Sequence, residues 1–184
     1  MPFGHGKHFL AKAPGIVDKL LGGWQLNGIT TVSTGQYKTV GLPQDWMNIG
    51  PVNGSVPNKI GNPIPSHRSY TNYFNINAFA FPGCESQPQP YLPCTNAQGA
   101  LHVEGDVKRN SLEEPGHNNW DMGLIKGTRI GEHLNTQFRA EAYNVLNHTQ
   151  FGDASASLQP GSFGVIGSLG HDPRVLQVSL KLMF

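Results

Sequence analysis

Charge is scarce in this sequence. Asp, Glu, Lys and Arg make up 14% of 184 residues, well under the roughly one quarter usual in a soluble domain, so part of the surface is not built to face water. The 13 basic residues nearly balance the 12 acidic ones, and no basic run could track a phosphate backbone, which excludes a nucleic-acid partner. Long hydrophobic runs are missing too. No stretch approaches the ~20 apolar residues of a membrane helix, so residence in a bilayer would have to come through strands. The N-terminus lacks the apolar core of a signal peptide, which suggests that Met1 is not the natural start of the gene.

Catalytic and metal-binding motifs are absent as well. There is no Gly-x-Ser-x-Gly elbow around Ser111, Ser155 or Ser157. Gly4-His5-Gly6-Lys7 and Gly161-Ser162-Phe163-Gly164 are too short for a phosphate loop. His5 and His8 could share a metal only with further ligands, and no His-Glu-x-x-His set exists. The sequence therefore predicts neither an enzyme nor a cofactor site. Cysteine is limited to Cys84 and Cys94 in one Pro-rich segment. A local disulfide fits that spacing in an oxidising compartment, two free thiols are the alternative, and zinc would need two more ligands.

What is plentiful is glycine and proline, 23 and 14 residues, a composition poor in helix and rich in turns. Between the turns lie segments of period-two alternation. In 173–184, Leu176, Val178, Leu180, Leu182 and Phe184 share one face, and Val175, Gln177, Ser179, Lys181 and Met183 the other. That run has the length of a tilted membrane strand. In 134–146, Phe138, Ala140 and Ala142 alternate with Gln137, Arg139 and Glu141. Helix propensity competes there, but no apolar stripe at spacing 3.6 supports it. Weaker alternations occupy 118–129 and 23–33, and Thr34-Gly35 reads as a tight turn into a further strand at 35–41.

Connection lengths alternate between long (4–22, 42–117, 147–172) and short (34–35, 130–133), as the outer and inner turns of an outer-membrane barrel do. The expected fold is all-β: an antiparallel meander of about five strands from the C-terminal end of a transmembrane barrel, with long extracellular loops. Trp24, Trp120, Tyr143 and Phe184 then serve as interface aromatics, with core packing as the alternative. Asp121, Arg129, Arg139 and Glu141 become lumen-facing charges rather than an acid–base pair.

Four groups of residues carry a family resemblance. They are Leu20-Leu21-Gly22-Gly23-Trp24-Gln25-Leu26-Asn27-Gly28-Ile29 with Thr34-Gly35-Gln36; Tyr73-Phe74-Asn75-Ile76-Asn77-Ala78-Phe79; Arg109-Asn110-Ser111-Leu112 with Pro115-Gly116-His117-Asn118-Asn119-Trp120-Asp121; and Phe138-Arg139-Ala140-Glu141-Ala142-Tyr143-Asn144-Val145-Leu146-Asn147-His148 with Phe151-Gly152. In order and spacing they resemble the barrel end of TonB-dependent receptors of the Oar-like type, common in acidobacteria. Pro2-Phe3-Gly4 resembles the end of the preceding strand in that family.

The resemblance implies a full-length receptor with a signal peptide, a carboxypeptidase-regulatory-like domain, a plug and a barrel of about 22 strands. It implies residence in the bacterial outer membrane and lipid contact, with the remaining barrel strands and the plug as partners. The barrel-assembly machinery would engage the last strand through Phe184, and the inner-membrane TonB complex would act only through upstream parts. A secreted β-sandwich binding carbohydrate or another surface partner is the alternative from a different class. An isolated sheet of this kind, with two bare edges and a lipid face, is expected to aggregate without detergent.

Overall fold

The computed structural model describes residues 15–46, 54–94 and 103–184. In chain order its elements are α1 (Gly15–Leu21), β1 (Trp24–Ser33), β2 (Tyr37–Lys38), β3 (Asn58–Lys59), a 3-10 turn (Ile76–Ala78), β4 (Phe79–Ala80), β5 (Leu112–Glu113), β6 (His117–Ile130), β7 (Leu134–Tyr143) and β8 (Val175–Met183). They divide into two compact units. One contains Asn118–Thr149, Asp172–Phe184 and the chain up to Val32; the other contains Ser33–His117 and Gln150–His171.

The first unit is a four-stranded sheet in the order β1-β6-β7-β8. β6, β7 and β8 are antiparallel with a continuous register, for example Leu124 opposite Ala140 and Ala140 opposite Val178. β1 runs antiparallel to β6, since Gly23 binds Gly127 through its carbonyl and Gly28 lies beside the Asp121 carbonyl. The Gly-Gly-Trp motif has a local cause here. Gly23 adopts φ +74°, and a side chain at that position would collide with the Gly127 carbonyl. β7 is a strand, not the short helix that its Ala-Arg-Ala-Glu-Ala sequence could also form, because strand neighbours on both sides override local propensity.

The expected strand at 35–41 is different in the structure. Only Tyr37 and Lys38 are extended, and they pair with Glu113 and Leu112 in a separate two-stranded sheet. Val40 and Leu42 are buried in the core of the second unit, so their apolar character answers to a packed core and not to lipid. Thr34-Gly35 is accordingly no hairpin turn between sheet neighbours. A side chain at Gly35 would strike the Glu114 backbone, because the two ends of the connection between β1 and β6 run side by side there. Residues 34–116 thus form one connection. It leaves the sheet from the same end as the segment between β7 and β8, while the three-residue turn 131–133 closes the opposite end. The segment before β1 belongs to that short-turn end instead of joining the long loops; it contains α1, and its residues 4–14 lie outside the described residues.

The second unit is built from these two long connections, and it has a hydrophobic core. Val40, Leu42, Trp46, Phe74, Phe79, Phe81, Leu112, Leu158, Phe163 and Ile166 are all buried in one cluster. Edge-to-face rings hold its centre, with Phe79 and Phe163 at 5.5 Å and Trp46 and Phe81 at 5.0 Å. β3 pairs with β4, and Asn75 caps the 3-10 turn by accepting from the Asn77 backbone at 3.1 Å. A disulfide joins Cys84 to Cys94, closing the Pro-rich hairpin that packs on this core. Chain that would otherwise be a very long structureless loop is therefore a folded body of its own.

Candidate functional site

Strand pleating sorts the side chains of the sheet into two sets. Trp120, Met122, Leu124, Phe138, Ala140, Ala142, Leu176, Val178, Leu180 and Leu182 fall on one face by register. Gly123, Ile125, Arg129, Asn135, Gln137, Arg139, Glu141, Gln177, Ser179 and Lys181 fall on the other. Lys126, Thr128 and Thr136 share the first face toward the short-turn end; the rest of it is apolar and uncovered, with Leu176 68% exposed, Val178 67%, Leu180 67% and Leu182 50%. Leaving such side chains in water forgoes about 2 kcal/mol each, so this face requires an apolar medium. Every buried residue of the hydrophobic cluster belongs to the second unit. A sandwich would instead cover the β8 ladder with a second sheet.

The charges predicted to face a lumen lie together on the polar face, spread along it rather than gathered. Arg139 and Glu141 form an ion pair at 3.3 Å. Asp121 sits two residues from Gly123, which is opposite Glu141, and it shares a small cavity of about 190 Å³ with Asn27, Glu141 and Tyr143. Its carboxylate accepts from Asn119 and from the Asn144 backbone, each at 2.9 Å, so it ties β6 to the end of β7. Arg129 stands at the turn end and donates to the Glu132 carbonyl at 2.9 Å. Asn27 fits between the strands because Gly123 has no side chain there.

The aromatics divide. Trp24 donates to the Leu20 carbonyl at 2.9 Å, and its ring lies 5.0 Å from the Lys126 ammonium. Trp120 is 41% exposed on the apolar face, bonded through its indole N–H to Asn118. Tyr143, grouped with them from the sequence, lies on the opposite face beside Glu141, because its position is odd in the alternation that places Ala142 among the apolar residues. Phe184 follows β8 and is almost wholly exposed.

Several structural nodes carried no chemical signal in the sequence. Asn144 takes a left-handed φ of +51°. Its carboxamide donates to the His148 and Asp172 carbonyls and accepts from the His148 backbone, tying the end of β7 to the approach to β8. Asn147 accepts from the Arg174 backbone at 3.2 Å. In the second unit Glu114 is buried, and its carboxylate accepts from the Ala154 backbone at 2.7 Å. Lys38 bridges Glu114 at 3.4 Å and Asp153 at 2.8 Å, tying both connections together. Burial acts to lower the Lys38 pKa, but the Asp153 hydrogen bond and the two nearby carboxylate charges outweigh it and raise the pKa above its ordinary value.

Among the described residues no group of three His, Cys, Asp or Glu is placed to hold a metal, and no helix is long and apolar enough to cross a bilayer. His5 and His8 lie outside the described residues. Ser155 and Ser157 line a cleft that has no histidine among its described wall residues, and Ser111 is not among them.

Comparison with curated proteins and with solved structures finds no match. The model of a family described as outer membrane beta barrel domain matches residues 1–177. A sheet with one bare apolar face and one charged face, whose long connections leave from one end, is what such a match requires of strands in lipid. The chain belongs to the outer membrane beta barrel domain family, and its place is the bacterial outer membrane in contact with lipid.

Proposed function

We propose that the chain supplies C-terminal strands and outer loops to a TonB-dependent receptor of the Oar-like, acidobacterial type, for energy-coupled uptake of a ligand by the full-length protein. The observation that carries this reading is the division of apolar residues between the two units. The sheet leaves its apolar face bare, while the long connections fold around a core of their own. A structural barrel needs only loops that join strands; a cored outer body gives a receptor something with which to capture ligand. The four motifs support the same reading, because their residues are the nodes of this architecture: Gly23 and Trp24, Phe74 to Phe79, Leu112, and Asn144 to His148.

Four strands cannot close a barrel, for which about eight is the least. β1 and β8 are both edges among the described residues, and in this proposal they join the remaining strands around the plug. Phe184 and β8 are then what the barrel-assembly machinery engages, and the TonB complex acts through upstream parts of the receptor. The role is non-catalytic.

The test uses the full-length receptor in outer-membrane vesicles and the isolated periplasmic domain of TonB. Binding that disappears when the receptor's N-terminal box is deleted is the expected result. A full-length protein that sits in the outer membrane and never binds this domain would leave the chain a barrel without energy coupling.

A further inference from the structure

The seven residues of α1 are too few to hold a helix in water by themselves, where about 12–15 are needed. A helix this short persists by packing an apolar face. At 3.6 residues per turn Ile16, Val17, Leu20 and Leu21 share one arc of α1, and Lys19 lies outside it. That arc is largely uncovered: Ile16 is 76% exposed, Leu20 63% and Leu21 50%. The apolar contact that sustains α1 therefore comes from outside the protein.

The C-terminal end of α1 fixes where that contact lies. The Trp24 indole N–H donates to the Leu20 carbonyl at 2.9 Å, and the Lys126 ammonium donates to the Gly22 carbonyl at 2.6 Å, so two side chains satisfy carbonyls that the helix leaves unpaired. Both belong to the apolar face of the sheet. Lys126 is opposite Phe138 in the register. Asn27 projects against Gly123 on the polar face, so pleating puts Trp24, three positions earlier, on the apolar one. Both also stand at the short-turn end, where a barrel meets the periplasm. The helix is thus fastened to the lipid-facing side of the sheet at the edge of the bilayer, not beneath the lumen. The Trp24 ring lies 5.0 Å from the Lys126 ammonium, a pairing suited to headgroup depth, where an amphipathic ring and a snorkelling amine both sit well.

We propose that α1 is an in-plane membrane anchor, laid along the periplasmic leaflet with Ile16, Leu20 and Leu21 among phospholipid acyl chains and with Trp24, Lys126 and Lys19 at headgroup level. Continuity selects phospholipid over a protein partner. The uncovered arc begins where the apolar face of the sheet ends, at Trp24 and the exposed Leu26, so one apolar medium covers both. The inference rests on residence of the barrel in the outer membrane and not on the receptor reading; it holds with or without energy coupling.

The test uses the full-length protein in vesicles of phosphatidylethanolamine and phosphatidylglycerol, with a fluorophore attached at I16C or at K19C. Quenching is compared for a nitroxide high on the acyl chain, a nitroxide near the chain end, and aqueous iodide. At I16C the shallow nitroxide is expected to quench most, since an interfacial helix sits about 5–10 Å into the boundary between headgroups and acyl chains. Iodide is expected to reach K19C more readily than I16C. L20N with L21N, read at I16C, should lower the shallow quenching at least about twofold and leave the inserted fraction unchanged. Iodide quenching alone at I16C puts the helix in periplasmic water, and protection from every quencher puts it against protein. Strongest quenching by the chain-end nitroxide puts it across the acyl region. Each of these overturns the anchor, as does shallow quenching that the inserted double variant leaves unchanged. The depth at I16C decides the matter by itself where the double variant does not insert.

Discussion

Lys38, Glu114 and Asp153 come from three distant parts of the sequence and meet in the second unit. Glu114 is buried, and removing its cation leaves an underpaired charge away from water. K38M is therefore expected to destabilise this unit by about 2 kcal/mol, the low end for a buried pair because the lysine is itself partly exposed. The loss should be read as a lower thermal midpoint in the near-ultraviolet dichroism of the full chain in detergent. The pH dependence has a definite sign. Because the Lys38 pKa is raised above 10.5, its contribution is complete below that value and is lost only as pH climbs through the folded pKa. Glu85 works in the opposite sense. The hydrogen bond from its own backbone amide, with help from Asn58 and Gly83, outweighs burial and lowers its pKa from 4.5. Its contribution is present above 4.5 and fades as pH falls through the folded value, so E85Q should remove part of the acid sensitivity seen in a pH titration of the same signal.

Asn144 offers a second test at a single side chain. Its three side-chain hydrogen bonds and left-handed backbone make N144A costly on two counts, together about 2–3 kcal/mol. N144G keeps the backbone freedom and loses only the bonds, so it should fall between the wild type and N144A in urea unfolding of micelle-bound protein.

Among the elements, β8 is the plainest in the sequence. Its alternation is uninterrupted, and the expected 173–184 differs from Val175–Met183 only at the ends. β7 was readable for the same reason, and β6 through the weaker alternation of 118–129. The segment 35–41 was not, because alternation reports a side chain's need for an apolar neighbour without saying whether that neighbour is lipid or a protein core. α1, seven residues long, is too short for helical periodicity to show. Tyr143 was misplaced among the aromatics by residue type, where position parity would have put it beside Glu141. The cleft could not be read at all, since Ser157 comes beside Gly41 only through the packing of two connections. The two faces of β8 give a direct contrast: L180R should cost about 2–4 kcal/mol and reduce the heat-modifiable, inserted form, because it puts a cation in lipid. S179R, one residue away on the polar face, should insert as the wild type does.

At the scale of the molecule, the chain carries two kinds of apolar surface with different destinations. That of the second unit is already buried, and that of the sheet awaits lipid and neighbouring strands. Expressed without detergent, the chain should aggregate; a soluble, cooperatively folding monomer would be incompatible with a bare lipid face. The most direct measurement is a single-cysteine scan of β8 from 176 to 182 in vesicles, each site carrying a fluorophore and quenched either by nitroxide-labelled acyl chains or by an aqueous agent. A β8 with one face in lipid gives acyl-chain quenching at Leu176, Val178, Leu180 and Leu182 and aqueous quenching at Gln177, Ser179 and Lys181. Aqueous quenching at all seven positions, or the same two quenchers acting without alternation, would contradict it.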